Sequence, residues 1–175
     1  MRSKRRFRRV RDAIRAGAER FGMRVVHFAV LRDHVHLVVE AHDKRALSRA
    51  MQGLGIRLAK AVNRGERSGK VFRDRYHATA LESPRRVRNA IAYVLLNARR
   101  HAAKHGQVSR AGSIDPCSSA YWFDGWSRDV EPLRRRARDD LDFPTEPPIA
   151  TAHTWLLTIG WRRSSLIDPS EIPGA

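Results

Sequence analysis

Apolar residues recur at helical spacing near the start of the chain. Phe7, Val10, Ile14, Ala18 and Phe21 form one stripe, and Gly22 follows as a stop. The pattern then turns extended. "MRVVHFAVL" is rich in β-branched and aromatic residues and reads as a strand, "RD" as a tight turn, and "HVHLVVEA" as a returning strand, so the three make a β-hairpin. Leu47, Met51, Leu54, Leu58 and Ala61 mark a second amphipathic helix, weakened by Gly53 and Gly55. "NRGERSGK" is a basic, glycine-punctuated loop, and a further strand is expected from Tyr76 to Leu81. The clearest helix is "SPRRVRNAIAYVLLNARRHAAKHG". Ser83 is its N-cap, Pro84 suits its first turn, and Gly106 stands where a C-terminal glycine belongs.

After Gly106 the pattern loses its period. "SRAGSIDPCSSAYWFDGW" is loop-like around an aromatic group of Tyr121, Trp122, Phe123 and Trp126. "EPLRRRARDDLDFPTEPP" reads as solvated and partly disordered, and "TAHTWLLTIGWRR" as a short docking helix. The expected organisation is a domain over residues 1–106, ordered helix, strand, strand, helix, strand, helix, and a loop-rich extension over 107–175. No internal repeat is visible.

Composition narrows the partners. A chain of 175 residues, 42% hydrophobic, can build a real core without staples. Its formal net charge is +17, and of its 35 cationic residues only five are lysine. Arginine grips phosphate bidentately, so nucleic acid is the leading partner. The run Arg134, Arg135, Arg136 and Arg138 adds to this phosphate-seeking surface. The single cysteine, Cys117, excludes an internal disulfide and a Cys-based zinc site, which suits a reducing cytoplasm. No apolar stretch approaches the roughly 20 residues that span a bilayer, so no membrane partner is expected.

Three features carry chemistry. His34 and His36 are two apart on a strand, so both imidazoles project from one face and can hold one divalent cation. Tyr93 lies about 200° from Ile91 and Leu95, off the apolar stripe of Val87, Ile91, Leu95, Ala98 and Ala102. Its neighbours on the helix surface are Arg86, Asn89, Asn97, Arg100 and Lys104. Asn97, one turn on, offers an amide oxygen to the same region. A metal held by two imidazoles and that amide can polarise a phosphodiester, and a tyrosine hydroxyl beside it can attack phosphorus. Such a transesterification conserves bond energy and needs no nucleotide cofactor. Arg73 and Arg75, ahead of Tyr76, join Arg86, Asn89, Arg100 and Lys104 as DNA-contact candidates. The other histidines, His101 among them, receive no role.

The motifs "DHVHLVVEA", "GKVFRDRYHA" and "AIAYVLLNARRH" resemble the single-tyrosine HUH (His-hydrophobic-His) transposases, and within them the REP-associated tyrosine transposases and related insertion-sequence transposases. The resemblance spans about residues 20–106. It implies an α+β, ferredoxin-like antiparallel sheet and a divalent Mg or Mn. It implies single-stranded or hairpin-bearing DNA as substrate and a 5′-phosphotyrosine intermediate; a monomer or homodimer is the expected assembly. His34 and His36 match its metal-binding histidines, Tyr93 its nucleophile, and Asn97 the amide completing the metal site. Asp33 stands where the family usually has Asn, and Ala98 where many members have Pro. The family opens on a strand; this chain opens on a helix, so a missing first strand is expected. The other readings are a non-catalytic nucleic-acid-binding module, from a truncated or domesticated transposase, and a hydrolytic nuclease without a covalent step.

Overall fold

In the computed structural model, residues 1–63, 71–72, 74–104, 114–140 and 143–174 are described, the side chains of 102–104 and 139–140 excepted. The fold is α+β, built on a three-stranded antiparallel sheet in the order β1-β2-β3. The strands are β1 (Glu19–Arg20), β2 (Met23–Val30) and β3 (Val35–Ala41). Phe21 and Gly22, both with positive φ (54° and 75°), make the two-residue turn between β1 and β2. The first helix, α1 (Lys4–Gly17), therefore stops one turn earlier than the apolar spacing suggested, because Phe21 belongs to this turn.

The hairpin of β2 and β3 forms as expected. Its register pairs Val25 with Val39, Phe28 with Leu37 and Val30 with Val35. A bulge between Val25 and His27 shifts the parity of β2. As a result Val25, Phe28 and Val30 share one face although their spacing is not a strict alternation. That face is closed by α1 and α2 (Lys44–Asn63), with Phe7, Val10, Ile14, Leu54 and Leu58 in the same cluster. Gly17 lets the two helices approach: a Cβ there would sit 3.1 Å from Leu54 Cδ1. Gly53 and Gly55 do not interrupt α2, which tertiary packing holds together.

The opposite face carries His27, Ala29, His36 and Val38 and is covered by α3 (Pro84–Leu95). Ser83 caps α3 by accepting from the Arg86 amide. The long helix expected over 83–106 is divided. Leu96 leaves helical geometry (φ −106°, ψ 14°), and α4 (Asn97–Lys104) begins directly after it. The strand expected at Tyr76–Leu81 is also absent: residues 74–80 are irregular and exposed throughout, with no buried face to pack.

The extension is more ordered than its composition suggested. "EPLRRRARDD" forms α5 (Glu131–Asp140), which buries Ala137. Within the run read as phosphate-seeking, Arg134 donates to the Tyr121 and Phe123 carbonyls and Arg138 to the Tyr121 hydroxyl. Those two guanidiniums are committed to structure. Phe123, Trp126 and Trp161 pack with Val87, Ile91 and Leu95 of α3 in one cluster. The extension also patches the edge of β2 that β1 is too short to cover. Val30 donates to the Cys117 carbonyl, Phe28 to the Ser119 hydroxyl, and Ala150 to the Val25 carbonyl. The Glu40 carboxylate at the end of β3 accepts from the Thr154 hydroxyl and the His153 and Thr154 amides at the start of α6 (Trp155–Thr158).

Candidate active site

Strand alternation places His34 and His36 on the face of the sheet that α3 crosses. The two Nε2 atoms are 3.1 Å apart. Two donors each about 2.1 Å from one ion, at right angles, are separated by about 3 Å, so this spacing suits a shared cation. His34 Nδ1 lies 2.7 Å from Asp33 Oδ1, and in the tautomer that donates to this carboxylate the Nε2 lone pair faces outward as a ligand. The hydrogen bond from His34 holds the Asp33 carboxyl below the usual carboxylate range. Burial, reinforced by His34, His101 and Arg100, lowers the His36 pKa to about 4. His36 is therefore neutral at physiological pH, as a metal ligand must be.

Tyr93 stands over this pair. Its ring meets the His36 ring edge-on, with centroids 5.1 Å apart. Arg100 donates from Nη1 to the tyrosine hydroxyl at 3.1 Å and lies 5.0 Å above the ring centre. Arg100 is seven residues after Tyr93, close to two helical turns, so the two share one side of the helix surface. A strong donor on the phenolic oxygen stabilises negative charge there.

Asn97 differs from its expected setting on an exposed polar stripe. The helix break carries it inward, to 0% exposure. Its Oδ1 and Nδ2 are both buried without a hydrogen-bond partner among the described residues. Such an orphaned amide costs about 1–3 kcal/mol unless something else satisfies it, and a cation would satisfy the oxygen. The two imidazole nitrogens, 3.1 Å apart, suit a divalent metal, and Asn97 carries an amide oxygen that is left without a partner among the described residues. Among the described residues, no group of three or more His, Cys, Asp or Glu side chains is arranged to hold one.

The remaining candidates fall in different places. Arg86 is exposed, 3.7 Å from Glu82, and Asn89 and Arg75 are exposed. Arg73 and the side chain of Lys104 lie outside the described residues. Two residues were missed. Asp33 orients His34, and a carboxylate one residue before a metal-type histidine was the available clue. The His101 ring lies 6.3 Å from that of His34. His101 follows Tyr93 by eight residues, about two turns of the helix expected there, and that spacing was the available signal.

Comparison with known proteins gives one match. The family model described as "Transposase IS200 like" aligns with residues 2–95, more than half of the chain and including both histidines and Tyr93. No curated protein and no solved structure matches.

Proposed function

The chain belongs to the IS200-like transposase family, and on that premise we propose that it is a REP-associated type of single-tyrosine HUH transposase. It nicks and rejoins single-stranded, hairpin-bearing DNA through a phosphotyrosine. DNA is the partner of a transposase, and no helix among the described residues is long and apolar enough to cross a membrane. The observation that carries the reading is the meeting of Tyr93, His36 and Arg100, with the His34 and His36 nitrogens 3.1 Å apart beside them. The packing of α1 and α2 on one face of the antiparallel sheet is in keeping with a ferredoxin-like core, with α3 added on the other face. The outer edge of β3 has no strand partner among the described residues, in keeping with a sheet that lacks one strand there.

His34, His36 and Asn97 would hold the cation, Mg or Mn, which when bound polarises the scissile phosphodiester. Arg100 stabilises the phenolate of Tyr93. The Tyr93 oxygen then attacks phosphorus, an oxygen–phosphorus bond forms, and the bond to the 3′ oxygen breaks. The phenolic proton passes to solvent, and the departing 3′ oxygen takes up a proton to leave as a hydroxyl. A 5′-phosphotyrosine remains, and attack by another 3′ hydroxyl reverses the chemistry and joins the strands. No bond energy is lost, so no nucleotide is consumed. Asp33 acts through His34, whose ring it orients.

The test is covalent capture. Hairpin-bearing single-stranded DNA incubated with Mn should yield a denaturation-resistant adduct that maps to Tyr93. Tyr93→Phe should abolish the adduct while leaving the melting temperature and DNA affinity nearly unchanged. An adduct on Tyr76 or Tyr121 would overturn the assignment. Cleavage without an adduct would favour a hydrolytic nuclease, and DNA binding without cleavage a binding module.

A further inference from the structure

The most cationic helix in the fold is not at the candidate active site. α1 carries seven cationic residues in its 14 positions, against the single acid Asp12. Its apolar side is fully committed to the core: Phe7, Val10 and Ile14 are each 0% exposed. Its outer side is a cationic track. Lys4, Arg8 and Arg15 lie within about 40° of one another around the helix axis. All three are exposed, and their side chains have no carboxylate partner among the described residues. At about 1.5 Å per residue the track is roughly 17 Å long, the reach of about five nucleotide steps along one strand of a duplex.

The track is also connected to the site. The Met1 ammonium donates to the Arg32 carbonyl at 2.8 Å, and Arg2 donates to the Val30 carbonyl at 2.9 Å. These bonds seat the start of α1 against the turn that bears Arg32, Asp33 and His34, and Arg32 is itself exposed. A backbone leaving Tyr93 on one face of the sheet therefore meets Arg32 at the end of the hairpin and then Lys4 on the other face.

We propose that α1 is a second phosphate-binding surface, which grips the backbone of the same DNA beyond the reacting nucleotide. The proposal rests on DNA being the partner but not on covalent chemistry at Tyr93. A cationic amphipathic helix also suits anionic lipid, but that use requires an apolar face free to enter the bilayer. The apolar face of α1 is buried against α2 and the sheet, so phosphate on a nucleic acid is the fitting partner.

The experiment compares two triple variants with the full-length wild-type chain. One is Lys4→Gln, Arg8→Gln and Arg15→Gln on α1; the other is Lys44→Gln, Arg45→Gln and Arg49→Gln on the exposed side of α2. Glutamine keeps helix propensity, and circular dichroism and melting check the fold. Fluorescence anisotropy is read on a short oligonucleotide that spans only the Tyr93 site and on one several times longer. The α1 variant should bind the long strand about tenfold or more weakly, and its log–log salt slope should fall by about 2, for three lost phosphate contacts. Binding of the short strand and adduct formation on it should be unchanged. In the wild type, photocrosslinks from the long strand should map to α1 peptides, which tests contact without any substitution.

Equal weakening by both triple variants would mean net charge rather than docking and would overturn the proposal. So would an unchanged salt slope in the α1 variant, or crosslinks that avoid α1. Loss of binding to phosphatidylglycerol vesicles with DNA binding intact would assign the helix to lipid instead. A wild type that binds the long strand through α1 but forms no adduct would sink the catalytic reading and leave this one standing.

Discussion

The two faces of the sheet are built from the same hairpin yet do different work. The face under α1 and α2 is apolar throughout: Val25, Phe28 and Val30 meet Phe7, Val10 and Ile14. The face under α3 mixes small apolar residues with polar ones. Ala29, Val38 and Val94 form only a small cluster, with Tyr93 packed against it and His36 against Tyr93. The first face secures the fold by burying area. The second spends some of that stability to keep ionisable and unpaired groups in place. This division explains how a reactive surface can be carried on a stable strand: each β3 residue serves one face only.

The comparison breaks most sharply under truncation. Phe28→Ala on the apolar face should cost about 3–5 kcal/mol, read by chemical denaturation. His36→Ala on the other face, at a half-buried position, should cost under about 1 kcal/mol while eliminating cleavage. Similar costs at the two positions would erase the distinction.

A smaller effect tests the polar face alone. Asp33→Ala should weaken Mn binding, measured by calorimetry, by about 10–100-fold, because the His34 ring loses the acceptor that orients it. Asp33→Asn keeps an acceptor and should restore most of the affinity. If the alanine variant binds Mn as well as the wild type, Asp33 does not position His34.

At neutral pH the smallest effect is that of the buried histidines, which shows only on acidification. His27, fully buried on this face against Phe123, is lowered by burial to about 4, as His36 is. The unfolded chain takes up these protons near the ordinary value of about 6.5, whereas the folded chain resists them until about 4. Stability should therefore be level above about 6.5 and fall as the pH drops through that window. His27→Leu should remove its share of the fall, up to about 1.4 kcal/mol per pH unit. An unchanged acid profile in that variant would mean that His27 does not titrate on unfolding.

Much of this was legible along the chain, because its signals are local. Side-chain period marked α1, the hairpin and α3, and Ser83 with Pro84 marked where α3 begins. The pairing of His34 with His36 needed only strand alternation, and the prominence of Tyr93 only its angle from the apolar stripe. The rest depended on partners distant in sequence. A strand at Tyr76–Leu81 required a buried face to pack, and residues 74–80 are exposed throughout. The order of the extension, including α5, came from Trp126 and Trp161 packing on α3.

Two decisions at the site belonged to tertiary structure alone. Strict alternation would have grouped Val25 with His27. The bulge instead moves Phe28 and Val30 under α1 and leaves His27 and His36 facing α3, because burying the larger apolar set outweighs a regular ladder. Likewise Asn97 reads as one more polar residue on a continuous helix. After the break at Leu96 it is fully buried instead. Periodicity specifies which residues share a surface while an element stays regular. Where an element departs from regularity, the packing around it decides, and both departures here lie at the candidate site.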